Sequence, residues 1–132
     1  MNSLEIIQPD DFHHHLRDGE VLGDTVSAAC AEFRRVIAMP NLQPPVTNLA
    51  SAEAYRERIL AHAGPEFSPL MTLFLTDSTT PEVIEEAHQS GLVYAVKLYP
   101  AGATTNSHNG VTDLAKLHSV FEVNIVFYCL VA

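Results

Sequence analysis

Positive charge is scarce in this chain. Seven Lys plus Arg stand against sixteen Asp plus Glu, giving a formal net charge of −9 over 132 residues. That balance argues against nucleic acid or an anionic membrane surface as the main partner, and an anionic small molecule can bind only where local cations overrule the global field. Cysteine is scarce too. Cys30 and Cys129 lie far apart in apolar segments, so buried reduced thiols of a cytoplasmic protein are expected rather than a disulfide or a Cys-rich zinc site. Long apolar runs are missing: the longest uncharged one, Ile125 to Ala132, is far too short to span a bilayer. The opening MNSLEIIQPDD has no basic segment and turns acidic early, unlike a signal peptide. No internal repeat occurs, and no Gly-rich phosphate loop follows an expected strand, which weakens a nucleotide-binding reading. With 47% apolar and 17% charged residues the composition is globular. Its length suits one small domain or part of a larger one.

What is present is an alternation of elements. Leu4–Ile7 reads as a short strand, followed by a second that carries three histidines. Val21–Phe33 has an apolar stripe close to helical spacing, and Val36–Met39 reads as a buried strand ending at Pro40-Asn41. After the Gln43-Pro44-Pro45 loop, Ser51 is expected to cap a helix with Ala54, Tyr55, Ile59 and Leu60 inside. Leu70–Leu75, a helix opened by Pro81 and stopped by Gly91, and the strand Val93–Tyr99 follow. Leu114–Phe121 reads as helix and Ile125–Val131 as strand. Strands in continuous apolar runs between helices mean a parallel sheet covered by helices, with the chemistry at the C-terminal strand ends. A (β/α) barrel is preferred over an open sheet.

The densest chemistry is Asp10 to Gly19, DDFHHHLRDG. On a strand, His13 and His15 share one face and His14 takes the other. Alternate strand residues lie roughly 6–7 Å apart at Cα, and two neutral imidazoles at that spacing can converge on one divalent metal. Arg17 continues the same phase. A polar turn or His-rich surface patch is the alternative. Lys97 sits at the end of an apolar strand and must be paired, extended to solvent or chemically altered, because a lone buried ammonium is costly. Beside a metal, condensation with carbon dioxide would make it a carbamate ligand; a structural ion pair is the rival. Asn41 offers donor and acceptor to a substrate, or simply turns the chain. Thr104, Thr105, Asn106 and Ser107 suit a hydrogen-bonding lid, or a flexible polar loop. Asp77 follows the third strand and could cap or turn. His62, His88 and His118 are expected on helices as ordinary histidines, with His108 left open.

Together, DDFHHHLRDG, MPNLQPPVTN and KLYPAGATTNS, in this order and spacing, closely resemble dihydroorotase of the shorter bacterial type, among the metal-dependent amidohydrolases. The likeness runs from about Leu4 to Glu122. It implies the first half of a (β/α)₈ TIM barrel, not closed in this length, over residues 1–122. It also implies two zinc ions at the C-terminal rim, with His13 and His15 as ligands and Lys97, carbamylated, bridging both. Arg17 and Asn41 match the positions that hold the substrate carboxylate, and Thr104 and Thr105 the loop that closes over it. The implied reaction is reversible cyclisation of N-carbamoyl-L-aspartate to dihydroorotate in pyrimidine biosynthesis, in the cytoplasm.

The resemblance also implies two later histidines and a proton-shuttling aspartate that this chain does not contain, so no catalytic residue is assigned and an inactive or impaired chain is expected. Residues 123–132 read as a divergent apolar tail, of the kind a frameshift or an abnormal end of the coding sequence would give. Being β-prone and uncharged, with an open sheet edge nearby, the chain is expected to self-associate, or pair as a homodimer. Two rivals stand beside the main reading. One is another cyclic amidohydrolase, such as a hydantoinase. The other is a non-catalytic, dihydroorotase-like metal-binding or interaction protein.

Overall fold

A computed structural model of the chain describes residues 3–127 and 130–131, with side chains as far as residue 123. Strands β1 (Asp10–His14), β2 (Arg35–Ala38), β3 (Ser68–Phe74), β4 (Val93–Lys97) and β5 (Leu130–Val131) form one sheet in sequence order, every pair parallel. Between them run α1 (Leu22–Glu32), α2 (Leu49–Leu60), α3 (Pro81–Gln89) and α4 (His118–Phe127). This is the unclosed first part of a (β/α) barrel, as the alternation predicts.

The helices seal one face of the sheet. Leu22, Val26 and Ala29 of α1 and Ala52, Tyr55 and Ile59 of α2 are buried in a common core with Val36 and Ala38 of β2. The α2 cap is Asn48, not Ser51. Asn48 accepts the Ser51 N–H at 2.9 Å while the Ser51 hydroxyl accepts the Asn48 N–H at 3.2 Å, a reciprocal box that starts the helix one turn earlier. The buried stripe of α2 is Ala52, Tyr55 and Ile59, and Ala54 faces solvent. Pro81 opens α3 at a position where its missing N–H has no helical partner to lose.

The opposite, concave face is left open. Phe12 is 69% and Tyr94 53% exposed, and with Ile37, Leu70, Thr72 and Lys97 they border an apolar hollow of ≈ 460 Å³. An irregularity in β1 brings Phe12 there: Asp11 pairs with Val36 and His14 with Ala38, so three residues span two. That bulge breaks strict alternation and re-aims the side chains that follow. Phe12 lines the hollow, whereas His14 turns away to the Phe33 ring, 5.8 Å between centroids.

Two strand expectations need correction. Leu4–Ile7 forms no strand; Leu4 and Ile7 are about as exposed as side chains become, at 88% and 91%, because no neighbouring strand lies along them among the described residues. Ile125–Phe127 is helical, continuing α4, and only Leu130–Val131 pairs as strand, with Ala95 and Val96. Cys30 is a free, partly buried thiol; Cys129 lies outside the described residues.

An uncovered apolar wall beside an unpaired β1 edge favours association. The 132-residue chain is expected to elute from size-exclusion chromatography above its monomer mass. Phe12→Asp combined with Tyr94→Lys should shift it toward monomer, and a clean wild-type monomer would refute the reasoning.

Candidate functional site

The C-terminal ends of the parallel strands share one rim, and most of the residues singled out by sequence gather there. Asp11 organises the start. Its carboxylate accepts the His13 N–H at 2.8 Å and bonds the His14 ring at 2.7 Å. His14 is thereby tied to the strand itself. His13 and His15 converge instead: their Nε2 atoms are 3.2 Å apart and their ring centroids 5.1 Å. Two zinc–nitrogen bonds of about 2.05 Å at a tetrahedral angle separate the nitrogens by about 3.3 Å, so the pair fits one zinc ion.

Burial, then the charges of Arg17, His13 and Lys97, push the His15 pKa down, with an Asn41 hydrogen bond pulling the other way. The net direction favours the neutral imidazole that a metal requires. Lys97, at the end of β4, is lowered by burial as well. Its ammonium lies 5.5 Å from the Tyr99 ring centroid, and its charge is among those that lower His15. Among the described residues no three His, Cys, Asp or Glu gather in a metal-holding group.

Arg17 and Asn41 border one cleft of ≈ 550 Å³, together with Asp18, Gln43, Arg58 and Asn106. Asn41 lies three residues beyond β2 and is only 3% exposed. Its side-chain amide donates to the Thr105 carbonyl at 3.1 Å, and its own carbonyl accepts from the Asn106 side chain at 3.1 Å. Gln43 adds a bond to the Asn106 side chain at 3.1 Å. The loop is thus seated on the β2 end through Asn106, one of the four residues the sequence offered for it, and braced by Ser107, another. Thr104 and Thr105 point outward, and Thr105 engages by its backbone. Asn106 and the buried Ser107, which bonds both the N–H and the carbonyl of Thr104, do the holding.

Other contributors were not legible as site residues. Tyr55 reads as one apolar position in a helical stripe, yet its hydroxyl donates to the Arg17 carbonyl at 2.6 Å. The available signal was the hydroxyl, which needs a partner wherever the ring is buried. Asp77 neither caps nor merely turns the chain. It accepts the Thr112 N–H at 2.8 Å, the Thr112 hydroxyl, and the Lys116 ammonium at 2.8 Å. This clamp stands where the loop returns, next to the Val111 N–H that donates to the Tyr99 carbonyl at 2.8 Å. His62, His108 and His118 are exposed; His118 opens α4 as expected, whereas His62 lies in the turn after α2 rather than on a helix.

The Asp77 clamp has a defined pH dependence. Lys116, then Thr112, hold the Asp77 carboxyl well below the usual carboxylate range. A depressed folded-state pKa gives a contribution present above the unfolded value and lost as pH falls through the folded one. Thr112 amide exchange, corrected for its intrinsic rate, should stay slow from neutral pH to below the ordinary carboxylate range. Asp77→Ala should speed it by about tenfold throughout. Equal protection in both proteins would dissolve the clamp.

With this geometry in hand, the chain was compared with known proteins. No family model matches. It is 61% identical over 124 residues to dihydroorotase of Hahella chejuensis, and 59% identical over 123 residues to dihydroorotase of Ralstonia pickettii. Each match takes in 92% of this chain but 36% of the relative, so the chain spans about a third of those proteins, less than the half expected from barrel length. Among solved structures, dihydroorotase from Campylobacter jejuni superposes with a TM-score of 0.85 at 36% identity, over 94% of this chain and 37% of that one. Saccharomyces cerevisiae dihydroorotase in complex with 5-fluoroorotic acid gives 0.87 at 32%, over 93% and 34%. L-hydantoinase from Arthrobacter aurescens shares the fold alone, at 17% identity and a TM-score of 0.74.

Proposed function

We propose that this chain, which belongs by sequence and fold to the first part of the dihydroorotase barrel, carries the metal- and carboxylate-binding half of a dihydroorotase site. The reaction served is the reversible conversion of N-carbamoyl-L-aspartate to dihydroorotate in pyrimidine biosynthesis, a cytoplasmic task. The observation that carries the reading is the pair of Nε2 atoms 3.2 Å apart beside a cleft holding Arg17 and Asn41.

His13 and His15 would hold a zinc ion, and Lys97, as a carbamate, would supply an anionic oxygen. Lys97 is suited to that condensation because burial favours its neutral amine, the form that attacks carbon dioxide. When bound, zinc supplies a hydroxide near neutral pH and polarises a carbonyl. The chain's own residues do the rest. The planar fork of Arg17 suits a carboxylate, and brings a local positive charge to an acidic protein. Asn41 has two amide N–H donors and gives one to the Thr105 carbonyl, so the same side chain can seat the loop and serve a substrate carboxylate.

The second reading, metal binding without turnover, has its own support. The carboxylates of the rim are committed: Asp11 to His14, Asp18 to Arg58, and Asp77 to Thr112 and Lys116. Among the described residues none of these is free at the rim to move a proton. The 132-residue chain should therefore bind zinc and turn over carbamoyl aspartate poorly.

Metal content of the purified chain, loaded with zinc in bicarbonate, tests this. The wild type should retain zinc. His13→Ala or His15→Ala should weaken retention by at least the roughly 10–100-fold that even outer-shell changes cost, with the melting curve little changed. Zinc content indifferent to both substitutions would sink the metal reading. Brisk turnover of carbamoyl aspartate would instead remove the non-catalytic one.

A further inference from the structure

Arg17 carries a backbone conformation its side chain does not favour. Its φ is +64°, in the left-handed region, and Gly19 two residues on has φ +67°. A non-glycine residue stays there only when its surroundings over-determine it. Here the surroundings are one face of α2. Tyr55, with no exposed surface, donates its hydroxyl to the Arg17 carbonyl at 2.6 Å. Three residues later, Arg58 grips the Asp18 carboxylate through Nε at 3.0 Å and Nη2 at 2.7 Å. Asp18 in turn accepts the Gly19 N–H at 2.9 Å. The Arg58 guanidinium lies 5.4 Å from the Tyr55 ring centroid, so both holds come from one patch of helix. The preceding Leu16 is fully buried and its carbonyl is taken by the Thr25 hydroxyl. The segment is pinned before, at and after Arg17, and the Arg17 side chain alone is left exposed beside the cleft.

We infer that Tyr55 is a positioning residue for Arg17. Its hydroxyl, aided by the Arg58–Asp18 pair, keeps the Arg17 backbone left-handed so that the guanidinium is presented to a carboxylate in the cleft. The inference rests on the reading of Arg17 as the carboxylate-binding group. Without the hydroxyl, the Arg17 carbonyl loses its donor and φ is free to return to negative values. That rotation swings the side chain out of register with Asn41. Arg58 supports the arrangement from the solvent side and acts more weakly, because its pair with Asp18 is half-exposed.

The test uses the 132-residue chain labelled with ¹³C and ¹⁵N at arginine only, read by NMR and titrated with dihydroorotate. In the wild type, the Arg17 Cα and Cβ shifts should report a left-handed backbone, and its side-chain nitrogen should move on titration. In Tyr55→Phe the left-handed signature should vanish and dihydroorotate affinity should fall by on the order of tenfold, the worth of one hydrogen bond. The other arginine signals and the melting transition should persist. Arg58→Gln should shift both readouts the same way, by less, and serves if Tyr55→Phe does not fold. A left-handed Arg17 with unchanged affinity in the folded variants overturns the inference. A wild type whose Arg17 ignores dihydroorotate defeats the carboxylate reading instead, while the backbone signal still decides the role of Tyr55.

Discussion

Parallel pairing in sequence order is the constraint on which everything else in this molecule rests. A parallel neighbour can be reached only by a crossover, so each strand ends on the same rim and each helix returns along the same outer face. Residues far apart in sequence meet at that rim as a result. His13 lies within the β1 bulge and His15 just past β1, Asn41 lies just past β2, Asp77 just past β3, and Lys97 closes β4. Thr72 reinforces the alignment from inside, its hydroxyl donating to the Ala38 carbonyl of the neighbouring strand at 2.6 Å. A slip of one residue in any of these pairs would turn a rim group to the other side of the sheet.

The rim is also stitched together by its loops. Asn41 and Gln43 after β2 hold Asn106 and Thr105 after β4, and Asp77 after β3 holds Thr112 and Lys116. Neighbouring and next-neighbouring units are therefore joined at the end where the chemistry is proposed. At the other end, Arg35 of β2 pairs with Asp10 of β1. The wall between the two ends is apolar and uncovered. These features describe a half-site with ordered edges and an open interior.

Much of this was legible in the order of residues. The β2, β3 and β4 strands announce themselves as apolar runs closed by Pro, Asp or Lys, and the alternate placement of His13 and His15 foretold their convergence. What escaped was decided by contacts distant in sequence. Leu4–Ile7 has strand-like residues but no strand to lie against. The Ile125–Phe127 run is β-prone by composition, yet it continues a helix already started at His118. Asn48 outcompeted Ser51 as the cap because both are polar and only geometry separates the first residue of a box from its fourth. Tyr55 looked like one more core ring, since nothing local says that a backbone carbonyl thirty-eight residues earlier awaits its hydroxyl.

The left-handed backbone at Arg17 sets two demands on one position that no single amino acid meets well. Glycine or asparagine would relax the chain there and lose the cation; lysine would keep the charge, lose the planar fork and relieve nothing. On the proposed reading of Arg17 as the carboxylate-binding group, Arg17→Gly should relax the backbone while weakening the hold on an acid. Stability gained elsewhere, in the helices or the apolar wall, would leave this strained position and its cation untouched.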